Sequence, residues 1–396
     1  MRTLFPAPLS ARPSRLPAAP ASDPRRQRAG SAPAGAGLRA VNVLLVKTSS
    51  LGDVVHLLPA VAEAVAARPE LRFHWLVEAD YAEIPAWHRG VEQVIPVSFR
   101  RWRGRRLAML RSPEWATFRE QVAHLKYDRV IDAQGLIKSA WLASRARGRR
   151  CGPDRVSARE PLAALSYHER LAVPTDLHAV ERLRRLLAGA LGYALQPSPP
   201  GYGLESRLAA LRRAVPAERV LLLHGSSWPN KRWPAAHWSE LGRRVRAAGL
   251  IPALAWGDRA EQATATRIAA ECEGEVLPRL GLGELLATLA GARAVVGVDS
   301  GLLHLAAAAG VPGLGLFGPT DPRRTGTWGG HILNLAAPLP CAPCRRRRCH
   351  SSEAALLGPD GEALEPPCLA RLRPQRVWAA LEPMLEARAM ENGAGS

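Results

Sequence analysis

The segment after the first apolar run most constrains what this chain can fold into. Val41–Val46 has the composition of a buried β-strand, Lys47–Ser50 is polar, and Gly52 and Asp53 open a run of Ala, Val and Leu with helical spacing. This order predicts a strand, a loop and a helix, with Asp53 where the helix begins. Ligands of open α/β sheets bind in the crevice at the carboxyl ends of the strands. Asp53 is therefore a candidate acid, base or ligand; the alternative is that it only caps its helix, a role that Asp often fills.

Strand-like and helix-like runs alternate along the rest of the chain. The predicted strands are Val41–Val46, Phe73–Val77, Val91–Val97, Arg129–Asp132, Val220–Leu223, Ile251–Trp256, Ala294–Val298 and Leu314–Phe317. The predicted helices are Pro59–Ala67, Glu114–His124, Ala179–Leu191, Ala235–Ala248, Glu261–Cys272, Leu282–Leu289, Leu302–Ala309 and Pro374–Ala389. Strands that alternate with helices are joined by crossovers and form parallel sheets. The fold class is therefore α/β, with two successive doubly wound domains and a site in the cleft between them.

Composition predicts the domain boundaries. Residues 1–38 contain six Arg and one Asp without periodicity, which is typical of a disordered tail. An upstream start and a transit peptide are the alternatives for this tail. A first domain is predicted at 39–195, a linker at 196–212 because of its Pro and Gly cluster, and a second domain at 213–373. A closing helix and tail follow at 374–396.

The charge balance indicates an anionic partner. The formal net charge is +19, from 54 Lys and Arg against 35 Asp and Glu. Nucleic acid, a phosphorylated metabolite and an acidic membrane surface all fit this charge. Aromatic residues make up only 5% of the chain and no RNA-recognition or zinc-finger signature is present, so we expect no nucleic-acid partner. No uninterrupted apolar stretch approaches the roughly 18 to 20 residues that a membrane span needs.

Three strand ends in the second half combine Gly with polar side chains. They are His224–Pro234, Val298–His304 and Phe317–Pro322. The hydroxyls of Ser226 and Ser227 can donate to phosphate oxygens, and Lys231 adds a positive charge. The helix predicted after Asp299 offers backbone N–H groups to an anion. Ordinary βα loops use the same residue types, but three such loops at one edge favour a ligand that carries a diphosphate.

Several nucleotide and metal motifs are missing. The chain has no G-x-G-x-x-G after the first strand of either domain and no G-x-x-x-x-G-K-[ST], which argues against a dinucleotide oxidoreductase and a P-loop ATPase. It also has no D-x-D pair to hold a divalent ion. We therefore expect no cofactor and no catalytic metal.

Basic residues in the first half suggest an anionic second substrate. Phe99–Arg106 contains five arginines after a predicted strand, and Asp132–Ser139 is another strand-to-helix junction. Arginine forks match phosphate and carboxylate groups, although most charge runs are solvated surfaces. Arg159 could add charge to the same edge.

Four cysteines near the carboxyl terminus have a spacing related to structural zinc sites. Cys341, Cys344, Cys349 and Cys368 form C-x2-C-x4-C-x18-C. Four consecutive arginines crowd this segment and the last spacing is long. A structural metal and free or redox-active thiols therefore remain alternatives.

Five motifs in order resemble the lipopolysaccharide heptosyltransferases of glycosyltransferase family 9, and within them subfamily I. They are KTSSLGDVVHLLP at 47–59, the segment 87–103 ending in IPVSFRRWR, DAQGLIKSA at 132–140, VDSGLLHLA at 298–306 and FGPTDP at 317–322. The resemblance implies the GT-B architecture of two facing Rossmann-like domains. It also implies inverting transfer of L-glycero-D-manno-heptose from ADP-heptose to the 3-deoxy-octulosonate (Kdo) of Kdo2-lipid A.

The resemblance also implies roles for individual residues. Asp53 would be the general base. The donor would contact Ser226, Ser227, Lys231, Glu261, Asp299, Ser300, Gly301, Leu302 and His304, with Glu261 on the ribose and Asp299 on the heptose. The acceptor would contact Lys47, Arg100, Arg101, Arg103 and Arg159.

The expected setting is the cytoplasmic face of the bacterial inner membrane, where a monomeric, peripheral enzyme meets its anionic glycolipid. Three alternatives differ in function. They are a later core heptosyltransferase with a heptose acceptor, another sugar-nucleotide transferase of GT-B fold, and a non-catalytic nucleotide-binding regulator.

Overall fold

A computed structural model describes residues 39–99, 112–212, 218–359 and 361–393. The tail predicted at 1–38 lies outside these residues. The strands are β1 Val41–Val46, β2 Leu71–Glu78, β3 Val91–Val97, β4 Lys126–Asp132, β5 Arg147–Pro153, β6 Glu169–Leu171, β7 Arg219–Leu223, β8 Ile251–Leu254, β9 Glu275–Val276, β10 Ala294–Val298, β11 Gly313–Phe317, β12 Ile332–Ala336, β13 Leu356–Leu357 and β14 Ala363–Leu364.

Two six-stranded parallel sheets form the frame of the molecule. The first has the order β3-β2-β1-β4-β5-β6, and the second has the order β12-β11-β10-β7-β8-β9. Each sheet therefore reverses its strand order once, between β1 and β4 and between β7 and β10. A crevice opens at the carboxyl ends of the strands at such a reversal, and ligands of doubly wound sheets bind there.

Helices cover the faces of both sheets. The longer ones are Leu58–Ala67, Pro113–Ala123, Ile137–Ala143, Ala179–Leu191, Glu205–Arg212, Ala235–Ala247, Arg259–Cys272, Leu282–Gly291, Gly301–Ala308 and Pro374–Gly393. Short helices are Leu51–Val55, Glu83–Ala86, Pro322–Thr325 and Pro367–Ala370. Within the described part of the chain, every helix is too short or too polar to span a lipid bilayer.

The central strands are apolar because both of their faces are covered. Leu44, Leu45, Val295 and Val296 are fully buried, for example. Strands of parallel sheets read as continuous apolar runs for this reason, and the sequence prediction found these strands.

The structure corrects several predicted elements. The sequence prediction missed β5 and β6, because the arginines of β5 resemble a surface charge run. It also missed β9 and β12. Helix Glu205–Arg212 lies inside the segment predicted as a linker at 196–212, and it packs against helix Leu282–Gly291.

The last helix, predicted to close the fold, packs against the second half of the molecule. Pro374–Gly393 lies against helix Ala235–Ala247 and strand β11 of the second sheet. Val377 and Leu381 on this helix are fully buried in the second core cluster. The helix therefore closes the second half of the molecule.

A buried ion pair joins two helices of the first half. Glu63 on helix Leu58–Ala67 is only 2% exposed and Arg184 on helix Ala179–Leu191 is 5% exposed. Arg184 donates through Nη2 and Nε to the two Glu63 carboxylate oxygens at 2.6 and 2.9 Å. The backbone N–H of Gln196 donates to the same carboxylate at 2.8 Å. Glu63 therefore joins its own helix both to helix Ala179–Leu191 and to the segment at Gln196, where the first half of the molecule ends.

Removing one partner of this pair should destabilise the fold. We expect Glu63→Ala to lower the free energy of unfolding by about 2 to 4 kcal/mol, because the buried Arg184 would lose two charged hydrogen bonds and keep only Glu181, 2.8 Å from its Nη1, as an ion-pair partner. Urea denaturation followed by circular dichroism measures this loss. Glu273→Ala is the matched control: its pair with Arg246 spans 3.8 Å between exposed side chains, and it should cost at most about 1 kcal/mol. Equal effects of the two substitutions would contradict the anchoring role.

Candidate active site

Asp53 lies in the first turn of the short helix that follows β1. Its Oδ2 accepts a hydrogen bond from the backbone N–H of Ser50 at 3.0 Å, which is a capping interaction. Its Oδ1 meets Arg159 Nη2 at 2.6 Å and Lys47 Nζ at 3.6 Å. Arg159 Nη1 also donates to Oδ2 at 3.4 Å, so the carboxylate that caps the helix is bound at both oxygens by the Arg159 guanidinium.

The surroundings of Asp53 keep it ionised. Burial alone would raise the pKa of the Asp53 carboxyl, but the positive charges of Lys47 and Arg159 outweigh burial and hold this pKa well below its usual range. Burial also lowers the pKa of the Lys47 ammonium, although Asp53 opposes that shift. The result is a compact cluster of one anion and two cations at the end of β1.

The loop after β4 supports the loop after β1. The Oε1 atom of Gln134 accepts hydrogen bonds from the backbone N–H groups of Thr48 at 2.8 Å and Ser49 at 3.3 Å. Lys47 Nζ donates to the carbonyl oxygen of Ala133 at 3.0 Å. Since β1 and β4 flank the strand reversal, these contacts fix the edge of the crevice at which Asp53 lies.

Asp132 at the end of β4 has a structural role. It is fully buried, and its carboxylate accepts hydrogen bonds from Tyr167 OH at 2.7 Å, Ser139 Oγ at 2.8 Å and the backbone N–H groups of Gln134 and Gly135. Burial raises its pKa against the effect of these donors. Asp132 thereby joins the strand end to helix Ile137–Ala143 and to the segment before β6.

A small cavity of about 60 Å³ lies beside Asp53. Its polar lining comprises Lys47, Asp53, His56, Gln134, Ser157, Arg159 and Arg182. The cavity suits a polar, anionic group next to the Asp53 carboxylate, because most of the charged lining is cationic.

A second charged cluster lies at the end of β10. Asp299 is buried, and its Oδ2 meets Lys231 Nζ at 2.7 Å and accepts a hydrogen bond from Thr320 Oγ1 at 2.6 Å. Lys231 also lies over the ring of Trp228, 4.4 Å from its centroid. These contacts bring together the three strand ends that the sequence singled out.

The amino terminus of helix Gly301–Ala308 opens into this cluster. Ser300 is the N-cap residue of this helix, but its side chain makes no capping hydrogen bond to the backbone of the first turn. The Ser300 hydroxyl oxygen is buried and has no hydrogen-bond partner among the described residues. Buried polar atoms are nearly always paired, so an open helix terminus with an unpaired hydroxyl is suited to an anionic ligand.

The remaining predicted donor residues, Glu261, Ser226 and Ser227, lie in the segments that follow β7 and β8. Glu261 lies over Gly225, where an added Cβ would be 2.4 Å from Glu261 Oε1, so a larger residue at 225 would displace the Glu261 carboxylate. Its Oε2 also accepts a hydrogen bond from the backbone N–H of Gly257 at 2.8 Å. Ser226 is buried and its hydroxyl is 3.5 Å from the Asp299 carbonyl oxygen, whereas Ser227 is exposed.

Two helix ends join the two charged clusters. Helix Leu51–Val55 packs against helix Gly301–Ala308, and glycines make the contact close. A Cβ on Gly52 would be 2.8 Å from the His304 ring, and a Cβ on Gly301 would be 2.8 Å from Leu51. The sites at β1 and β10 therefore face one another across a short distance.

Histidines occupy this contact. His56 Nε2 lies 3.2 Å from His304 Nδ1, and His304 Nε2 lies 3.6 Å from Asp299 Oδ1. Burial and the nearby His304 and His178 lower the pKa of His56 well below its usual range. His56 is therefore neutral near pH 7, and the chain Asp299–His304–His56 runs from the second cluster to the helix that carries Asp53.

The structure brings together most of the predicted site residues but not all of them. Lys47 and Arg159 surround Asp53, while Lys231, Asp299, Ser300, Gly301, Leu302 and His304 form the facing cluster. Arg100, Arg101 and Arg103 lie outside the described residues. Sequence reasoning assigned no role to His56, Gln134 or Thr320, although all three lie within the motifs that it quoted.

The four clustered cysteines line one cavity of about 350 Å³. All six cysteines of the chain are free thiols, and Cys368 is buried while Cys341, Cys344 and Cys349 are exposed. Among the described residues, no group of three or more His, Cys, Asp or Glu side chains is arranged to hold a metal ion. A structural metal at these cysteines, and the alternative of free or redox-active thiols, both stay predictions.

Comparison with known proteins identifies the family. The model for glycosyltransferase family 9 (heptosyltransferase) matches residues 115–355. The lipopolysaccharide heptosyltransferase 1 of Pseudomonas aeruginosa is 48% identical over 88% of this chain and 99% of its own length. This chain belongs to glycosyltransferase family 9. Another family 9 member, the lipopolysaccharide heptosyltransferase 1 of Salmonella typhimurium, is 44% identical over 75% of this chain and 95% of its own length.

Solved structures of family 9 members agree with the fold. The E. coli heptosyltransferase WaaC with ADP has a TM-score of 0.75 and 37% identity, and covers 87% of this chain and 100% of its own. WaaC was also solved with ADP-2-deoxy-2-fluoro heptose, at a TM-score of 0.71. The E. coli ADP-heptose heptosyltransferase II, at 19% identity and a TM-score of 0.66, shares the fold. The two facing Rossmann-like domains expected for the GT-B architecture are confirmed.

The charge cluster around Asp53 predicts an unusual titration. We expect its carboxyl to remain ionised well below the ordinary Asp range of about 3.9, and Arg159→Gln to raise its pKa by about 1 unit or more, because an adjacent opposite charge is lost. Carboxyl-selective ¹³C NMR over acid pH measures both values. Arg155→Gln is the control, because no ion pair joins the exposed Arg155 to Asp53 in the described residues. An Asp53 pKa that Arg159→Gln leaves unchanged would show that Arg159 does not hold the carboxylate.

Proposed function

We propose that this chain transfers L-glycero-D-manno-heptose from ADP-heptose to a hydroxyl of Kdo in Kdo2-lipid A, with inversion at the anomeric carbon. The observation that carries the proposal is the juxtaposition of two charged clusters at facing strand ends. One is built around Asp53 and the other around Lys231 and Asp299. The names of the relatives, lipopolysaccharide heptosyltransferase 1, indicate the sugar and the pathway.

The donor would bind at the second cluster. Lys231 and the amino terminus of helix Gly301–Ala308 would hold the diphosphate, with Ser226 and Ser227 as hydroxyl donors and Glu261 near the ribose. When the diphosphate draws Lys231 away, one Asp299 oxygen becomes free to accept a hydrogen bond from a heptose hydroxyl. Because Lys231 and the helix terminus can neutralise the diphosphate, we propose that no divalent ion is needed.

The acceptor would bind at the first cluster. Kdo carries a carboxylate, which matches the fork of the Arg159 guanidinium. If Arg159 turns from Asp53 to that carboxylate, the pKa of Asp53 rises and Asp53 becomes a better base. Binding of the correct acceptor would thus activate the base, since catalysis requires a proton acceptor of adequate pKa within hydrogen-bond reach.

The chemical step is a single displacement. The acceptor oxygen forms a bond to the anomeric carbon of heptose as the bond from that carbon to the phosphate oxygen breaks. ADP leaves with the electron pair of the broken bond, and Asp53 takes the proton of the acceptor hydroxyl. Lys231 and the helix terminus stabilise the negative charge that develops on the leaving phosphate.

The setting follows from the acceptor. We propose a monomeric enzyme that works peripherally on the cytoplasmic face of the bacterial inner membrane, where its anionic glycolipid is presented. The net charge of +19 favours attraction to such a surface.

Two substitutions should separate the roles of the clusters. We expect Asp53→Asn to lower kcat by about 100-fold or more, because an amide cannot accept the proton, with ADP-heptose affinity nearly unchanged. We expect Lys231→Met to weaken ADP binding roughly 10- to 100-fold, because a charged hydrogen bond to the diphosphate is lost. Single-turnover kinetics and calorimetric titration with ADP measure the two effects.

Lys126→Met is the control, since Lys126 is exposed at the start of β4, away from both clusters. It should leave kcat and ADP affinity unchanged. Near-normal turnover of Asp53→Asn would show that Asp53 is not the base.

A further inference from the structure

Large apolar side chains are exposed on the segment that carries Arg159 and on helix Ile137–Ala143, which packs against that segment. The exposed fractions are 50% for Ile137, 83% for Val156, 60% for Leu162 and 60% for Leu165. Leu333 and Leu357, the other exposed large apolar residues of the described chain, lie in the second half. The first four residues, called the apolar rim below, are therefore concentrated within 29 positions of the sequence.

The 3-10 helix Pro161–Ser166 buries its alanines and exposes its leucines. Ala163 and Ala164 are buried against Ala140 and Tyr167. Residues three apart eclipse one another in a 3-10 helix, so Leu162 and Leu165 project together on the opposite side. If this helix only packed against the core, the leucines would be expected on its buried side, because Leu is among the residues most often found buried. The two leucines are thus available for contact with something other than this chain.

The apolar rim is fixed to the candidate site by hydrogen bonds. Arg159 Nη2 pairs with Asp53 at 2.6 Å, and Leu162 follows Arg159 by three residues. Three residues span at most about 11 Å between Cα atoms. The backbone N–H of Ile137 donates to the Glu160 carboxylate at 2.6 Å. Tyr167, just after the 3-10 helix, donates to the buried Asp132.

Positive charge surrounds the apolar rim. Residues 145–170 contain seven arginines and three acidic residues. Arg155 and Arg159 are exposed beside Val156. Apolar side chains flanked by cations match the surface of a bilayer that contains anionic lipids, since the cations meet headgroup phosphates while the apolar groups enter the acyl boundary. A second copy of this basic chain would meet like charge at the same surface.

We propose that Ile137, Val156, Leu162 and Leu165 form a membrane-docking surface that enters the outer part of an anionic lipid bilayer. Docking would place Asp53 at the level of the headgroup sugars, while the acyl chains of the acceptor stay in the bilayer. The identity of the acceptor rests on the proposed function, but binding to lipid does not.

Vesicle flotation of the full chain tests the docking surface. We expect binding to vesicles of phosphatidylglycerol and phosphatidylcholine, and at least about tenfold weaker binding for the double variant Leu162→Ser/Leu165→Ser, because two apolar side chains no longer leave water. Leu357→Ser is the matched control, since Leu357 is 69% exposed in the second half. It should bind as the unchanged protein does.

Equal vesicle binding by the double variant and the unchanged protein would overturn the proposal. A dimeric unchanged protein together with a monomeric double variant would also overturn it, because the leucines would then contact a second copy of the chain. Turnover of a deacylated, soluble Kdo acceptor should be unaffected by the double substitution, and loss of this turnover would place the leucines in the acceptor site instead. Failure of the unchanged protein to use any Kdo acceptor would overturn the proposed function and leave the vesicle result standing.

Discussion

The close contact between helices Leu51–Val55 and Gly301–Ala308 is the constraint on which the site depends. Each helix follows a central strand at the point where its sheet reverses strand order, so each carries the ligand-binding end of its own sheet. Gly52 and Gly301 let the helices approach. A side chain at Gly52 would clash with the His304 ring, and one at Gly301 would clash with Leu51, so either would disturb this contact.

The two charged clusters have the same logic. Asp53 is held by Arg159 and Lys47, and Asp299 is held by Lys231. In the proposed reaction each carboxylate gives up its cation to an incoming anion, which is the acceptor carboxylate at Asp53 and the donor diphosphate at Asp299. This exchange of partners would neutralise the ligand and release the protein carboxylate, with Lys47 still 3.6 Å from Asp53 and the Thr320 hydroxyl still bonded to Asp299.

Sequence reasoning was strongest where local pattern determines structure. The central strands β1, β7, β10 and β11 read as apolar runs because both faces of a parallel sheet are buried. The polar residues at the carboxyl ends of these strands could be assigned to one edge of each sheet, because the strands of each sheet are parallel. Local pattern alone left Asp53 and Lys231 open between a functional site and an ordinary turn; the motif resemblance predicted roles for both, and these roles stay predictions.

What sequence could not supply depends on contacts between distant residues. Strand β5 has three arginines among its first four residues, so only its pairing with β4 and β6 reveals it as a strand. Sequence reasoning assigned no role to His56, because its partner His304 lies 248 positions later and only the fold places the two rings 3.2 Å apart. The exposure of Leu162 and Leu165 could not be predicted, because a 3-10 helix that turns its alanines inward has no clear local signal.

The most direct test of the account is ADP release from ADP-heptose by the purified protein in the presence of EDTA. The acceptors are Kdo2-lipid A without heptose and the same lipid with one heptose already attached. The account predicts turnover that requires the heptose-free acceptor and is insensitive to EDTA. Turnover only with the heptosylated acceptor would assign a later step of core synthesis. Release that depends on a divalent ion would contradict the proposal that Lys231 and the helix terminus alone neutralise the diphosphate.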